Sequence, residues 1–199
     1  LIIDFRDPMA VNLPDTMNIP RFRKKINQKI EKKIIESSDV FVVNTEEVRQ
    51  GYIGAYPQIA RKTIAIHNGF DHEMLPPRQP DKFAKFTIAY AGNMYFYADR
   101  SESFFQAIAQ LKESGEIDSD NFQVLYYGSD QSTVFEIAQR LRIEEFVHVH
   151  PSIPHSEMLQ IMTRVHLQLL RIIKPMISTK LFEGIALNLP FLAVIPPGE

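Results

Sequence analysis

The chain has 199 residues, 45% of them hydrophobic and 11% aromatic, which is enough for a packed core and too apolar for a disordered chain. Its formal net charge of -2 gives no overall attraction to nucleic acid. The absence of cysteine excludes disulfides and thiolate metal sites and fits a reducing, cytoplasmic compartment. The sequence begins on a predicted strand without methionine, so we expect a piece of a longer protein, truncated at both ends.

Residues 1–5 predict a buried strand with charged residues at its end, among them Asp4 and Arg6. Charged side chains at the carboxyl end of a strand in an open α/β sheet face the crevice where ligands bind. Asp4 and Arg6 are therefore candidates for ligand contact. The alternative is an Asp–Arg pair that holds the loop in shape.

A basic amphipathic helix is predicted to start at Pro20. Apolar residues recur every four positions and form one stripe, consisting of Phe22, Ile26, Ile30 and Ile34, with Ile35 alongside. Between Arg21 and Lys33 there are seven basic residues and one acidic residue, Glu31. Such a helix can make peripheral contact with an anionic membrane. Alternatively, the charges form the solvated face of a helix whose stripe packs in a core.

Strands and helices alternate through the rest of the first part. Residues 39–43 predict a buried strand, Asn44 or Thr45 caps a helix, and residues 61–66 predict a third strand. Proline-rich, polar residues follow from position 74, with the composition of a linker. We therefore predict a first Rossmann-like domain in part over residues 1–73, a linker over 74–85 and a second domain over 86–199.

The alternation restarts in the second part. Predicted strands cover residues 86–91, 122–127, 146–149, 167–170 and a buried run at 191–195, and predicted helices begin near residues 101, 132, 155 and 178. Right-handed crossovers place such a run in a doubly wound parallel sheet of the α/β class, with every loop that follows a strand at one edge. The loops at Gly92, Gly128, 152–154 and 175–178 should therefore converge.

The converging loops carry groups suited to an anionic, polyhydroxy ligand. Gly92 lets the backbone approach a ligand, and Arg100 can neutralise phosphate charge. A helix starting near Ser178 and Thr179 offers free amides to a phosphate, and Glu183, one turn inside it, suits a sugar diol. A nucleotide or nucleotide sugar fits, whereas the dinucleotide and P-loop motifs are missing. The alternative is a helix docked on a sheet with Glu183 at its solvated edge.

Several short motifs of the sequence resemble those of one enzyme family. Residues 178–190, STKLFEGIALNLP, resemble the S-K-L-[FY]-E-[YG]-L-A-x-G-x-P signature of retaining glycosyltransferases of the B-type fold, in particular the family-four group. Residues 67–71, HNGFD, are similar to their N-G-[VF]-D run, and residues 4–8 resemble a motif of members that build surface polysaccharides. Gly92-Asn93, Arg100 and Tyr127-Gly128 fall where these enzymes have corresponding features.

The resemblance implies transfer of a sugar, with retention, from a nucleotide diphosphate sugar to a glycan or lipid-linked acceptor in polysaccharide or glycoconjugate synthesis. It implies no cofactor, no metal and no nucleic-acid partner. Arg100 and Glu183 would be the catalytic residues, Arg100 at the departing charge and Glu183 at the donor ribose. Asp4 and Arg6 would lie on the acceptor side. The remaining donor-binding residues would be Gly92, Asn93, Gly128, Ile153, Pro154, Ser178, Thr179 and Lys180, with Ile153 and Pro154 at the base and Ser178 to Lys180 at the diphosphate.

Two positions depart from the family pattern. Pro175 stands where the family has a first glutamate, eight positions before Glu183, and no lysine follows closely after Arg100. His148, His150 and His155 are close to one another in sequence. No carboxylate lies at a metal-ligand spacing from all three, so we expect surface or capping roles for them.

Two other function classes stay open. One is an isomerase or epimerase of the same two-domain fold that acts on a nucleotide-linked sugar, with His67 or Asp71 as its acid–base group. The other is a non-catalytic nucleotide-binding α/β module, which the proline at position 175 favours.

Overall fold

The computed structural model describes residues 1–7, 11, 20–77, 81–94, 102–172 and 177–195. The chain forms two compact units, Leu1–Gly69 with Ile173–Thr179, and Phe70–Ile172 with Lys180–Glu199. The domain boundaries and the linker that we drew from composition stay a prediction. No helix in the described part of the chain is both long and apolar enough to cross a membrane.

The first unit contains a parallel three-stranded sheet in the order β1-β2-β3. Its strands are β1 (Ile2–Phe5), β2 (Val40–Val43) and β3 (Thr63–Ala65), and its helices are α1 (Arg21–Glu36) and α2 (Glu46–Ala55). Thr45 caps α2 as predicted, because its hydroxyl accepts from the Val48 amide at 3.1 Å. The prediction that β1 is buried is wrong: β1 is an edge strand, and Ile2 is 70% exposed.

Helix α1 leaves most of its apolar stripe in solvent. Phe22 is 69% exposed, Ile26 52% and Ile30 46%, whereas Ile35 is fully buried. The alternative in which the whole stripe packs in a core is therefore wrong for the first turns of the helix. The one acidic residue between Arg21 and Lys33, Glu31, is buried, where its carboxylate accepts from the Tyr52 hydroxyl at 2.6 Å. The exposed face of this segment consequently carries basic and apolar side chains.

The second unit is built on a five-stranded parallel sheet in the order β6-β5-β4-β7-β8. The strands are β4 (Phe86–Ala91), β5 (Phe122–Tyr127), β6 (Val147–His150), β7 (Leu167–Arg171) and β8 (Phe191–Val194). The helices are α3 (Glu102–Glu113), α4 (Gln131–Arg140), α5 (His155–Met162) and α6 (Thr179–Ala186). The predicted doubly wound α/β fold is confirmed. Because the chain moves outward from β4 to β6 and then returns to β7, the strand order reverses between β4 and β7.

Side chains of the central strands alternate between two packed layers. Ile88 and Tyr90 of β4 belong to the layer that includes Phe105 of α3 and Val134 of α4. Ala89 of β4 belongs to the opposite layer, with Leu125, Met158, Met162 and Leu189. Apolar burial on both faces explains the nearly continuous hydrophobic runs of β4 and β5. The predicted burial of the last strand is wrong, because β8 is an edge strand and Leu192 is 40% exposed.

Candidate functional site

The loop after β4 is fixed by side chains from both of its neighbouring strands. The three successive carbonyls of residues 92–94 each accept a hydrogen bond. Tyr126 of β5 donates to the first at 3.1 Å and Tyr90 to the second at 2.6 Å. Arg171, the last residue of β7, donates to the third. The hydrogen bond from Arg171 joins β4 to β7 where the strand order reverses, which is the edge position at which open α/β sheets bind ligands.

Gly128 and Asp130, which follow β5, complete this arrangement. A Cβ on Gly128 would overlap the Gly92 carbonyl oxygen, so only glycine permits this approach of the two loops. The Asp130 carboxylate accepts from the Met94 amide at 2.8 Å. With the side-chain amide of Asn93 oriented by its hydrogen bonds, its nitrogen donates to the same carboxylate at 2.6 Å. The structure thus brings Gly92, Asn93 and Gly128 together, as the topology predicts.

The Lys180 side chain runs from α6 to the Gly92 loop. Gly92 has φ +111°, and a Cβ there would lie 2.5 Å from the Lys180 Nζ. The same ammonium lies 5.3 Å from the centre of the Tyr90 ring. Burial lowers the pKa of Lys180 below its usual value, and the Glu183 carboxylate partly offsets this effect. We expected Gly92 to admit a ligand, and in the structure the space beside its Cα holds the lysine instead.

Helix α6 is held close to the sheet through Gly184. A Cβ on Gly184 would overlap the buried Gln168 side chain of β7 and the Phe191 ring of β8. The Gln168 amide also donates to the Lys180 carbonyl at 3.2 Å, in the first turn of the helix. Lys180 and Glu183 are three positions apart and therefore lie on one face of the helix. Gln168 and Gly184 together set the position of that face.

Glu183 is paired with a histidine from the loop region after β6. Its Oε1 lies 2.9 Å from the Nε2 of His155, the first residue of α5. The Glu183 side chain is 19% exposed and that of His155 is 49% exposed. Ile153 is partly buried against the α5 layer, and the exposed Pro154 directly precedes the helix. The β6–α5 loop and Glu183 therefore meet at the carboxyl edge of the sheet. The alternative, in which Glu183 lies at the solvated edge of the helix, does not account for its low exposure or for its hydrogen bond to His155.

Several predicted site residues are not placed by these contacts. Arg100 and Pro175 lie outside the described residues. Ser178 and Thr179 are exposed at the start of α6. In the ranges that the structure describes, no three His, Asp or Glu side chains are arranged to hold a metal ion. The expectations of no metal and no cofactor stay predictions.

In the first unit, Asp4 and Arg6 form the pair expected of a loop brace. Arg6 binds the Asp4 carboxylate at 2.7 Å and donates to the Ile66 carbonyl at 2.8 Å, which ties the end of β1 to the end of β3. Asn68 continues the brace by donating to the Ile177 carbonyl at 2.7 Å. These contacts support the loop-holding alternative, and a role for the pair in acceptor binding stays a prediction.

Sequence reasoning missed several residues that organise the site, among them Tyr126, Asp130 and Arg171. Tyr126 lies inside the predicted strand at residues 122–127, Asp130 follows it closely, and neither position carries a motif that indicates a contact. For Arg171 a usable signal existed, because it is a charged residue at the carboxyl end of a predicted strand. That is the rule by which we singled out Asp4 and Arg6.

Partly buried cationic and anionic groups on one face of α6, at a ligand-binding edge, suit a ligand that carries phosphate and hydroxyl groups.

No protein-family model matches the sequence, and no curated protein matches it either. Solved structures do match. Sucrose-phosphate synthase from Thermosynechococcus elongatus matches 96% of this chain at 16% identity, with a TM-score of 0.70. The chain has the fold of the B-type glycosyltransferases.

Two further structures share this B-type fold. WaaG, described as a glycosyltransferase involved in lipopolysaccharide biosynthesis, matches 86% of the chain at 16% identity with a TM-score of 0.68. A variant of S. aureus TarM, crystallised with Fondaparinux, alpha-GlcNAc-glycerol and UDP, matches 96% at 12% identity with a TM-score of 0.68. The chain spans 36% of the TarM structure and 49% of the other two. At these identities the likeness is one of fold.

The likeness also extends to a structure that is described as an epimerase. A structure described as a UDP-N-acetylglucosamine 2-epimerase from Listeria monocytogenes matches 93% of the chain at 11% identity, with a TM-score of 0.50. This likeness is weaker than that to the sucrose-phosphate synthase, WaaG and TarM structures, whose TM-scores are 0.68 to 0.70.

Proposed function

We propose that the second unit binds a nucleotide diphosphate sugar and that the chain belongs to a retaining glycosyltransferase. The transferase would move the sugar to a glycan or lipid-linked acceptor in polysaccharide or glycoconjugate synthesis. Both TarM, crystallised with UDP, and WaaG, from lipopolysaccharide biosynthesis, support this class of reaction. A cytoplasmic location stays a prediction.

One observation carries the proposal: the Lys180 ammonium and the Glu183 carboxylate share a face of α6 at the edge where the strand order reverses between β4 and β7. Burial makes the ammonium a stronger partner for an anion than a fully solvated lysine would be. A carboxylate accepts hydrogen bonds from sugar hydroxyls and repels phosphate, so Glu183 suits the ribose and Lys180 the diphosphate. The backbone amides of the first turn of α6, near Ser178 and Thr179, add donors for the diphosphate.

The transfer step needs the departing diphosphate to be stabilised as the bond from its oxygen to the sugar breaks. We assign this role to Arg100 together with Lys180. Asn93, Gly92 and Gly128 shape the loops beside the sugar and the diphosphate. Ile153 and Pro154 line the base. These assignments, and retention at the anomeric carbon, belong to the proposal.

Calorimetric titration tests the proposal. The chain is titrated with UDP, ADP, GDP and uridine, and then Lys180→Met is compared with the wild type. We expect binding of at least one nucleoside diphosphate, little binding of the nucleoside, and a loss of about tenfold in diphosphate affinity in Lys180→Met, since a hydrogen bond to a charged group contributes about 1.5–3 kcal/mol. Lys25→Met, which changes an exposed lysine of α1, is the matched control. Absence of binding to all three diphosphates contradicts the proposal.

The second candidate is an epimerase acting on a nucleotide-linked sugar, which the Listeria structure supports. It would need an acid–base group such as His67 or Asp71. Of these two, Asp71 accepts a hydrogen bond from the Glu73 amide at 2.9 Å and so caps a short turn. Product analysis separates the two: a transferase releases nucleotide when an acceptor is present, whereas an epimerase changes the sugar and leaves the nucleotide attached.

We further assign helix α1 to peripheral contact with an anionic membrane surface. The apolar stripe is exposed at Phe22, Ile26 and Ile30. Every basic residue between Arg21 and Lys33 is also exposed, while the acidic Glu31 is buried. Apolar burial combined with attraction to anionic lipid is the energetic basis of such binding. A lipid-linked acceptor would be presented at that surface.

A further inference from the structure

The proposed role of Glu183 in ribose binding does not explain why its carboxylate is hydrogen-bonded to His155. Glu183 Oε1 lies 2.9 Å from His155 Nε2, and the two residues come from different helices, α6 and α5. Among the described residues, His155 is the hydrogen-bond partner that the structure gives to the Glu183 carboxylate. The histidine side chain is the more exposed of the two, at 49% against 19% for Glu183.

We propose that His155 is a positioning residue, which orients Glu183 to accept a ribose hydroxyl. This inference rests on the proposed nucleotide-binding function. A carboxylate is acceptor-only when ionised, so the imidazole must donate from Nε2, leaving Nδ1 as the acceptor in the neutral ring. A protonated ring also donates from Nε2, so the contact survives in both charge states. The orientation therefore does not depend on protonation of the histidine.

This hydrogen bond should raise the affinity for the ligand, because it reduces the conformational entropy of the Glu183 side chain before binding. Glutamate is among the side chains with the largest rotamer entropy, and fixing it during binding subtracts from affinity. A hydrogen bond between His155 Nε2 and Oε1 restricts the Glu183 side chain in advance, and Oε2 stays available to accept from a ribose hydroxyl. Placement of His155 directly after Pro154 fixes the start of α5 and with it the position of the imidazole.

The test compares two ligands that differ only at the ribose. Wild type and His155→Ala are titrated with UDP and with 2′,3′-dideoxyuridine diphosphate, and each protein gives a ratio of the two affinities. His155→Gln is the conservative variant, because the glutamine amide places an N–H donor close to the position of Nε2. Gln160→Ala removes another exposed polar side chain from the same helix and is the matched control. Thermal melting verifies that each variant is folded.

We expect His155→Ala to weaken UDP binding about two- to tenfold, because ordering one rotamer-rich side chain on binding costs about 0.5–1.5 kcal/mol, and to leave the dideoxy ligand unaffected. His155→Gln should restore most of the preference for UDP, and Gln160→Ala should match the wild type. Equal losses for both ligands would show a merely structural role. Unchanged UDP binding would show that His155 does not position Glu183 for the ribose, and tighter UDP binding would show that His155 competes with the ribose. Each of these results overturns the inference while leaving nucleotide binding intact. A wild type that binds no nucleotide overturns the proposed function and this inference with it.

Discussion

The Lys180 ammonium occupies the side of Gly92 on which any other residue would carry its Cβ, 2.5 Å from that position. Gly92 also has φ +111°, a backbone region that side chains other than glycine rarely adopt. The residue type at position 92 is thus set by two independent constraints, the backbone angle and the lysine. This relationship links the first loop of the five-stranded sheet to the helix that carries Glu183.

Gly92→Ala should destabilise the second unit by about 1–3 kcal/mol, the usual range for a strained backbone position. The substitution also pushes the lysine away from the loop, so diphosphate binding should fall in parallel. Gly69→Ala is the matched control, because no atom lies within 4 Å of a Cβ there and its φ is not positive. Urea unfolding measures both variants, and equal stability of the two would contradict the role assigned to Gly92.

The charge of Lys180 makes stability depend on pH in a definite direction. Burial holds the folded-state pKa of Lys180 below its ordinary value of 10.5, which the unfolded chain retains. The charged ammonium therefore destabilises the folded state at neutral pH. This destabilisation disappears as the pH rises from the pKa of Lys180 in the folded protein toward 10.5, because the lysine loses its charge. We expect the stability advantage of Lys180→Met over the wild type to be largest near neutral pH and to shrink in alkali. Urea titrations across this range measure the difference, and an advantage that grows with pH would be inconsistent with a buried ammonium.

Gly184→Ala should loosen the contact between α6 and the sheet. The new methyl group would overlap the Gln168 side chain and the Phe191 ring. Overpacking of this kind costs about 1–3 kcal/mol. The double variant with Phe191→Leu should recover part of the loss, because the smaller side chain removes one of the two overlaps. Ile185→Ala, at an exposed position of the same helix, should change the unfolding free energy by about 0.5 kcal/mol or less.

The exposed stripe of α1 predicts lipid binding that depends on both charge and apolar contact. Sedimentation with vesicles should show binding to phosphatidylglycerol and little to pure phosphatidylcholine, with binding weakened by salt. Phe22→Ser should reduce it several-fold, since full burial of such a side chain contributes about 1.5–3 kcal/mol. Ile185→Ser, an exposed apolar position outside α1, should have no effect. Equal binding by all three proteins, or none to the anionic vesicles, would refute this role.

Local periodicity was sufficient to predict the central part of the fold. The predicted bounds of β4 and β5, Phe86–Ala91 and Phe122–Tyr127, are those observed. Burial on both faces makes such strands continuously apolar, so the first and last residues of each strand can be located where the apolar run starts and stops in the sequence. The edge strands β1 and β8 are also apolar in sequence, and nothing in a single strand tells how many neighbours it will have. Their exposure could therefore not be predicted.

The contacts within the site depend on tertiary geometry. Lys180 meets Gly92, and His155 meets Glu183, because α5, α6 and the β4 loop share one edge of the sheet. Topology predicted that these segments converge, but it did not predict which side chains touch. Asp130 illustrates the difference. It follows a strand and precedes a helix, where a capping role is the usual expectation, yet its carboxylate binds the Met94 amide in another loop.

The measurement that addresses the central claim most directly is a crystal structure of the chain with UDP. It should place the diphosphate within hydrogen-bonding distance of the Lys180 ammonium and a ribose hydroxyl on the Glu183 carboxylate, at the carboxyl edge between β4 and β7. Nucleotide bound elsewhere, or bound there with Lys180 and Glu183 both out of contact with it, would contradict the account.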